Sequence, residues 1–395
     1  MTRAWDWLRQ PMPAPPEALR RGPLRRDAFP SRSRSARLTS QLGIALAVAF
    51  GVCFLTGILS HLIQHPPGWF WWPSRPVWLY RVTQGIHVAT GLAIFPILGV
   101  KLWSVYPRLF RWPPVRDAAH LLERLSIAVL VAAALFQLVT GLLNISLWYA
   151  PMPFAFIAAH HWTAWLVVGS ILVHIGVKLP IVRSALGAPP RGRERAASPS
   201  RRQLLAGVAG ASALITVATV GQTLSPLAAV SVLAPRRPTV GPQGLPVNKS
   251  ARAARVETAA LDPAYALVLT GAGDPRRLTL ADLAALPQHT ASLPITCVEG
   301  WSADGTWTGV RLRDLVALAG ADPDRSVVFA RSLQEGVGSV VATPHVRDPL
   351  TLVALRLNGE PLHLDHGYPC RLIAPNRPGV MQTKWLAALV VEPAR

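Results

Sequence analysis

The sequence predicts a multidomain protein: an all-α transmembrane four-helix bundle and a fifth transmembrane helix, followed by an α+β domain. Three observations carry this expectation. Apolar stretches of about 20 residues, long enough to cross a bilayer core, recur five times within the first 233 residues. Runs rich in Arg and Lys precede the first stretch and lie in two of the four intervals between stretches. The last 140 residues instead contain short β-type runs separated by Gly and Pro turns, such as Ala266–Leu269, Ser326–Phe329, Ser339–Val341, Arg371–Ile373 and Ala387–Val391.

Composition divides the chain into six segments. The first is rich in Pro and Arg and predicts a disordered cytoplasmic tail. The expected boundaries are 1–37 for the tail, 38–180 for the four-helix domain, 181–203 for a basic linker, 204–233 for the fifth helix, 234–255 for an extracytoplasmic linker and 256–395 for the last domain. The expected spans are Leu38–Leu59, Val82–Val105, Leu125–Leu147, Phe156–Leu179 and a helix from Leu204 to about Leu224.

Basic residues are distributed as in a membrane protein. A net charge of +20 on one soluble surface would suggest nucleic-acid binding, but here the excess lies beside the apolar spans. Nine Lys and Arg occur in the tail, five in the Lys101–Arg124 loop and seven in the Lys178–Arg202 segment. The loop around Arg75 and Arg81 has two, and residues 146–155 have none. The positive-inside rule therefore places the N-terminus in the cytoplasm and the last domain outside.

Two local signals refine this topology. Arg201 and Arg202 resemble a twin-arginine export signal placed internally, although an ordinary positive-inside anchor explains the same pair. No small-residue cleavage site follows the tail, so a removable signal peptide is not expected. The loop Gly68–Tyr80 is typical of an aromatic belt at the outer membrane interface. Its aromatic residues are Trp69, Phe70, Trp71, Trp72, Trp78 and Tyr80.

Histidines within the spans indicate a haem site, because ionisable side chains in a bilayer are costly and usually functional. The assigned helix directions place His87 and His160 at similar depths, about one turn below the outer membrane surface. They are therefore candidates for the two axial ligands of a b-type haem. His174 shares a helix face with His160, about 21 Å away along the axis. Its candidate partner for a second haem is His120. His161 points away from His160, and interhelical hydrogen bonding is the alternative role for all of these rings.

The helices and their histidines resemble the cytochrome b subunits of bacterial formate dehydrogenases and nickel-iron hydrogenases. The resemblance covers roughly Leu38 to Leu179. It implies haem b and exchange of electrons with quinone or quinol. The chain departs from those subunits because its first helix has no histidine on the inner side, so the resemblance supports one haem more firmly than two.

A series of motifs marks the last domain. They are Pro294–Ser302 (PITCVEGWS), Trp307–Val310 (WTGV), Leu312–Leu315 (LRDL), Asn358–Leu362 (NGEPL), His366–Leu372 (HGYPCRL), then Pro375 and Gly379 leading to Lys384-Trp385. In this order they are similar to the molybdopterin-binding domain of sulfite oxidases and of periplasmic molybdenum methionine-sulfoxide reductases. The resemblance covers about 140 residues. It implies a sulfite-oxidase-like α+β fold in which the thiolate of Cys297 binds molybdenum.

The resemblance also implies a set of cofactor-binding residues. Arg371 and Lys384, with the backbone near Gly379–Gln382, would hold the phosphate end of molybdopterin, and His366 would contact the pterin. Basic side chains and backbone N–H groups are the expected partners of a phosphate, and a soft thiolate suits a redox-active metal. Trp301 and Trp307 are expected in the core. The full set is Asn248, His366, Arg371, Gly379, Val380, Gln382 and Lys384.

The residues alone leave other roles open for Cys297. A lone thiol in an oxidising compartment is oxidised unless it is buried, disulfide-bonded or bound to a metal. A disulfide to Cys370 is one alternative. A nucleophilic cysteine paired with a histidine such as His345 is another.

Together these features predict a membrane-bound molybdopterin-dependent enzyme that moves electrons between the quinone pool, haem b and an extracytoplasmic molybdenum site, with oxygen-atom transfer there. The chain ends at Arg395, just after the last motif, without the further β-domain of sulfite oxidases, which favours reduction of a small S- or N-oxide. One alternative is sulfite-oxidase-like oxidation that feeds electrons to the membrane. Another is a non-enzymatic haem membrane protein with a degenerate domain.

Overall fold

The computed structural model describes residues 14–25, 28–29, 33–187, 200–221 and 224–394. The chain divides into two compact units: unit 1 comprises Met1–Leu55 and Ala89–Val217, and unit 2 comprises Thr56–Val88 and Ala218–Arg395. Much of the predicted tail and residues 188–199 of the basic linker lie outside the described residues.

Five helices are long and apolar enough to cross a membrane. Each overlaps one of the expected spans, but α4 starts seven residues before its predicted span and α5 ends eight residues after its predicted span. After the short α1 (Glu17–Arg21), the long helices are α2 (Ala36–Gln64), α3 (Leu79–Val105), α4 (Ala118–Ile145), α5 (Phe156–Gly187) and α6 (Arg201–Val220). The earlier start of α4 follows from capping, since the Asp117 side chain accepts a hydrogen bond from the His120 N–H at 2.7 Å.

Within unit 1, small and branched apolar residues pack the helices together. Ala133, Ala134 and Leu138 of α4 share a buried cluster with Ile94 of α3 and Val167 of α5. The small side chains on α4 allow close helix approach, which is how membrane helices gain packing energy.

The last domain is the expected α+β fold. The strands are β1 (Ala266–Thr270), β2 (Arg276–Thr279), β3 (His289–Thr296), β4 (Ser302–Arg311), β5 (Ser326–Ser332), β6 (Gly338–Val341), β7 (Leu352–Leu357), β8 (Glu360–Pro361), β9 (Arg371–Ile373) and β10 (Leu386–Pro393). The helices are α7 (Ala251–Ala254), α8 (Glu257–Ala260), α9 (Leu280–Ala285), α10 (Leu312–Leu318) and α11 (Thr343–Val346).

Two five-stranded sheets organise this domain. One has the order β2-β1-β10-β5-β6, in which only β1 and β10 pair in parallel. The other has the order β3-β4-β7-β8, with β9 also paired to β7, and is antiparallel throughout. One buried cluster centres on Leu315, Val328 and Leu389, and a second surrounds Cys297 and Trp307. The second cluster places the candidate thiol inside the core.

The predicted aromatic belt is only partly correct. Trp69, Trp71 and Trp78 are exposed, with fractions of 76%, 65% and 55%, as a membrane-interface belt requires. Tyr80 is buried at 1%, and Trp72 donates a hydrogen bond from Nε1 to the Asn376 carbonyl at 2.8 Å. The prediction of an interface belt is therefore wrong for Trp72 and Tyr80. Both donate hydrogen bonds to Asn376 of the last domain instead.

Candidate active site

Cys297 lies in the tight turn that joins β3 to β4. The Gly300 N–H donates to the Cys297 carbonyl at 3.1 Å, and the Cys297 N–H donates to the Trp301 carbonyl at 2.9 Å. Gly300 has a φ of +93°, a conformation that suits glycine because it has no Cβ. The turn directs the Cys297 thiol inward, where only 1% of the residue is exposed.

Asn248 and Glu299 are polar neighbours of the Cys297 sulfur. Asn248 donates a hydrogen bond from Nδ2 to Sγ at 2.6 Å, so the predicted contact of the linker with this site is present. Burial raises the pKa of Cys297 to about 12. A thiolate there requires a nearby positive charge, which a bound metal ion supplies.

The structure does not contain the alternative arrangements of Cys297. Cys297 and Cys370 are both free, and Cys370 Sγ lies 3.2 Å from the Tyr265 hydroxyl. No hydrogen bond joins Cys297 to His345 among the described residues. In those residues no group of three or more His, Cys, Asp or Glu could hold a metal, so a metal on Cys297 would take its other ligands from a cofactor.

The predicted site also contains buried cations. Arg371 is 3% exposed and donates to the His366 carbonyl at 3.0 Å and to the Gln382 carbonyl at 3.2 Å. Its Nε has no partner. Burial lowers the pKa of Arg371 to about 9, because no anion offsets the desolvation of its charge. Its guanidinium lies 5.0 Å from the centre of the Trp307 ring.

Lys384 connects this cluster to the linker that holds Asn248. Its Nζ donates to the carbonyls of Lys249 at 2.5 Å and Asp365 at 2.9 Å. Burial, and then the charge of Arg371, lower the pKa of Lys384 to about 7. Two neighbouring buried cations are a favourable environment for an anionic ligand.

The remaining predicted residues frame the same region. His366 is 2% exposed, and its Nε2 lies 2.7 Å from the Pro242 carbonyl; burial lowers its pKa to about 4. Gln382 accepts the Ala374 N–H at 3.1 Å. A Cβ on Gly379 would lie 3.3 Å from the Thr296 carbonyl, so glycine lets this backbone approach the residue before Cys297. Val380 is 54% exposed, and the structure shows no side-chain role for it.

Two further buried residues lie outside the predicted set of cofactor-binding residues, and Arg377 was not singled out from the sequence at all. Arg377 is 4% exposed and donates from Nη2 to the Val340 carbonyl at 2.7 Å, while its Nη1 has no partner. His345 is also buried, with an unpartnered Nε2, and burial, followed by the charge of Arg377, lowers its pKa to about 3. Arg377 lies inside the Pro375–Gly379 motif, so its charge in an otherwise uncharged motif was the available signal.

Residues 254–395 match the family model of the oxidoreductase molybdopterin binding domain. The last domain is therefore similar to molybdopterin-binding oxidoreductase domains, and for this similarity we call it the molybdopterin-binding domain.

Three relatives illustrate the similarity. Mitochondrial sulfite oxidase of Drosophila melanogaster is 30% identical over 154 residues, which are 32% of this chain and 27% of that protein. The putative protein-methionine-sulfoxide reductase subunit YedZ1 of Azospira oryzae is 34% identical over 118 residues, 30% of this chain and 45% of that protein. The uncharacterized oxidoreductase YuiH of Bacillus subtilis is 32% identical over 116 residues, 29% of this chain and 58% of that protein. The chain thus spans less than two thirds of each relative.

Hydrogen bonds join the molybdopterin-binding domain to residues 66–88, which we call the docking segment. Asn376, with a φ of +53°, accepts the Tyr80 N–H at 2.7 Å and donates to the Pro73 carbonyl at 2.7 Å. Arg75 donates two hydrogen bonds of 3.0 Å to the buried Asp348 carboxylate. Desolvation acts to raise the pKa of Asp348, but the hydrogen bond from Arg75 helps to hold it below its usual value.

The outer histidines each lie opposite a glycine and beside a threonine. In unit 2, His87 Nδ1 lies 3.4 Å from the Thr56 hydroxyl, and a Cβ on Gly57 would come within 2.8 Å of the His87 ring. In unit 1, His160 Nδ1 lies 3.2 Å from the Thr140 hydroxyl. The ring faces Gly141, where a Cβ would lie 3.7 Å away.

The other candidate histidines have different surroundings. His120 Nδ1 accepts the Arg116 N–H at 3.2 Å at the start of α4. His120 and His174 both act electrostatically on Glu123, which forms an ion pair with Lys178. His161 Nε2 instead accepts a hydrogen bond from Trp165 Nε1 at 3.3 Å.

Proposed function

We propose that this chain is a membrane-bound molybdopterin-dependent oxidoreductase. It passes electrons between the quinone pool, haem b and a molybdenum site outside the membrane, where oxygen-atom transfer takes place on a small S- or N-oxide. The observation that carries the proposal is a buried cysteine thiol in the same domain as two buried arginines, each of which has a nitrogen without a partner.

The residues fit the proposed molybdenum cofactor. Cys297 would bind the metal and Asn248 would hold the sulfur in place. Arg371 and Lys384 would bind the phosphate, which would offset the cost of burying their charges. Arg377 has a further unpartnered nitrogen for an anionic or carbonyl group. When bound, the cofactor supplies two-electron redox chemistry at the metal.

His87 and His160 are the proposed axial ligands of haem b. A hydrogen bond at Nδ1 is the usual support for an imidazole that binds metal through Nε2, and Thr56 and Thr140 are placed to provide it. The two histidines are paired because the sequence predicts that they lie at similar depths in the membrane. His174 and His120 form the proposed second pair, in which His120 already accepts a backbone hydrogen bond.

The proposed location follows from charge and helix number. An odd number of spans and the basic cytoplasmic loops place the N-terminus inside and the molybdopterin-binding domain outside. The Arg201-Arg202 pair at the start of α6 would act as a twin-arginine signal, because a cofactor inserted in the cytoplasm requires export of a folded domain.

The proposed reaction is reduction of the oxide. Two electrons and two protons convert an S-oxide or N-oxide into the sulfide or amine and one water, and oxidation of one quinol to quinone releases the same number of each. Similarity to a putative methionine-sulfoxide reductase subunit favours this direction. Similarity to sulfite oxidases favours the second candidate, in which sulfite is oxidised to sulfate with water as the oxygen source and two electrons pass to quinone.

Metal analysis of the purified full-length protein, combined with a reduced-minus-oxidised haem spectrum, tests this assignment. We expect one molybdenum per chain, a b-type spectrum and quinol-dependent reduction of dimethyl sulfoxide or trimethylamine N-oxide. Sulfite-dependent reduction of a quinone analogue would favour the second candidate. Protein purified from a molybdenum-replete host without molybdenum would contradict both candidates and support a non-enzymatic domain.

A further inference from the structure

One side chain of α3 is hydrogen-bonded to the turn that carries Cys297. Gln84 is 4% exposed and donates from Nε2 to the Val298 carbonyl at 2.6 Å. Val298 follows Cys297 directly, so the bond joins α3 to the backbone next to the thiol. The hydroxyl of Tyr80 lies 3.5 Å from Gln84 Oε1 and 3.0 Å from the Ser60 hydroxyl. These neighbours hold the Gln84 amide in the orientation that donates to Val298.

A second contact shows how closely α3 approaches the turn. Val88 lies where a side chain on Gly300 would stand, because a Cβ there would be 2.7 Å from Val88 Cγ2. Gly300 therefore permits an approach that no other residue would allow without movement. Gln84 and Val88 are four residues apart and share one face of the helix, so this face of α3 rests on the Cys297 turn.

His87 lies in the same stretch of α3. It is three residues beyond Gln84, which is about 4.5 Å along the helix axis and close to the same face. The covalent path from Sγ of Cys297 to the Val298 carbonyl is short, and one hydrogen bond continues it to Gln84. From Gln84 the path to His87 runs through less than one turn of helix.

We propose that Gln84 is the electron-relay contact between a haem bound at His87 and the metal bound at Cys297. With both groups bound, Gln84 would join the two sites so that the two electrons of one quinol could pass singly from haem to metal, or in reverse during sulfite oxidation. This inference rests on the proposed function, since it requires both redox centres. It goes further by assigning the junction to one hydrogen bond.

Arg81 provides a matched control on the same helix. It donates from Nε to the Ser302 hydroxyl at 2.7 Å and from Nη2 to Asp304 at 2.6 Å, so it too joins α3 to the β3–β4 hairpin. Its contacts lie on β4, beyond the turn. Replacing Arg81 weakens docking without interrupting the path from Cys297 to His87.

The test compares Gln84→Leu, Gln84→Asn and Arg81→Met in the full-length protein. Haem is reduced stoichiometrically, mixed with dimethyl sulfoxide without oxygen, and its reoxidation followed by stopped flow; if the protein oxidises sulfite instead, haem reduction by sulfite is followed. Both Gln84 variants should slow this step by about tenfold or more, while Arg81→Met slows it much less. Molybdenum content and haem spectra establish that both centres are loaded.

The outcomes separate this inference from the proposed function. Wild-type protein without haem or molybdenum would overturn both together. Loaded Gln84 variants with the wild-type rate would overturn the relay alone. An equal slowing in Arg81→Met would also overturn it, because docking rather than the Gln84 path would then set the rate. Two Gln84 variants that are slow beside a fast Arg81→Met would support it.

Discussion

Buried charge has different partners in the two units. In unit 2, Arg371 and Arg377 are buried within the molybdopterin-binding domain, and each has one guanidinium nitrogen without a partner. In unit 1, Lys101 donates from Nζ to the Thr39 carbonyl at 2.5 Å, and Lys178 forms an ion pair with Glu123. Lys101 and Lys178 are therefore satisfied by other groups of unit 1, whereas Arg371 and Arg377 are each left with one nitrogen that has no partner.

This difference distinguishes a ligand site from structural polar contacts. A buried cation that lacks a partner costs free energy, and an anionic ligand offsets that cost when it binds. The domain with unsatisfied cations is also the one whose sequence matches a cofactor-binding family. The proposed haem rests on another kind of observation, namely histidines supported by threonine and opposed by glycine. Each proposal can therefore fail without the other.

The largest expected effect comes from Cys297→Ser. Serine removes the soft ligand and keeps nearly the same volume, so the protein should fold, lose its molybdenum and lose turnover by about a thousandfold or more. Metal analysis, circular dichroism and turnover with a soluble artificial donor measure these properties. Cys370→Ser is the matched control, because Cys370 is equally buried but contacts Tyr265. Turnover that survives Cys297→Ser would refute the metal assignment.

The haem ligands are tested by His87→Ala and His160→Ala. Either change should shift or bleach the haem absorption and stop quinol-driven turnover, while a soluble artificial donor still reduces the molybdenum site. His161→Ala should have a much smaller effect, since His161 accepts its hydrogen bond from Trp165. If His161→Ala eliminates the haem spectrum and His160→Ala preserves it, the assigned helix face is wrong.

The topology of the two regions can be tested with the Arg pair at the start of α6. Replacing Arg201 and Arg202 together by Lys keeps the positive charge but removes the twin-arginine signal, so the molybdopterin-binding domain should remain inside while the first four helices insert. A reporter fused after Arg395 measures its location. Normal export of the double variant would leave the ordinary positive-inside anchor as the explanation.

Arg377→Met and Lys101→Met should shift stability in opposite directions. Removing an unsatisfied buried cation should stabilise the cofactor-free protein by about 1 kcal/mol, while lowering its affinity for the cofactor. Removing Lys101, whose ammonium has a carbonyl partner, should destabilise the protein by a similar amount of about 1 kcal/mol. Thermal unfolding of cofactor-free protein in detergent measures both. A destabilised Arg377→Met would show that Arg377 is a structural residue.

A further expected effect is a pH dependence due to Lys384. Its pKa is lowered from 10.5 to about 7 in the folded state, so above pH 7 the unfolded chain binds a proton that the folded chain has released. The free energy of unfolding should therefore rise with pH from 7 to 9 in cofactor-free protein. Lys384→Met should flatten this rise, and so should bound cofactor, whose phosphate keeps Lys384 protonated. If the free energy of unfolding of Lys384→Met rises with pH as steeply as that of the wild type, Lys384 is not the origin of the pH dependence.

Prediction from sequence worked best where the signal was local. The five apolar helices and the strands over Arg371–Ile373 and Ser339–Val341 follow from runs of adjacent residues, and the structure confirms them. Prediction from sequence did not identify β3 and β4 as strands. β3 contains Pro294, and β4 contains Asp304 and two glycines, which are unusual for strands. Their eight-residue pairing with each other supplies the hydrogen bonds that local preference does not.

The sequence by itself determined the apolar spans, the basic loops and the motif around Cys297, because hydrophobic length, charge and ligand chemistry are properties of neighbouring residues. Only the tertiary structure decided that Trp72 and Tyr80 serve the molybdopterin-binding domain, that Arg377 is buried without a full set of partners, and that Gln84 reaches Val298. These facts depend on segments more than 200 residues apart or on the burial of a whole domain. The partners of a polar side chain are chosen by packing, and no local pattern encodes that choice.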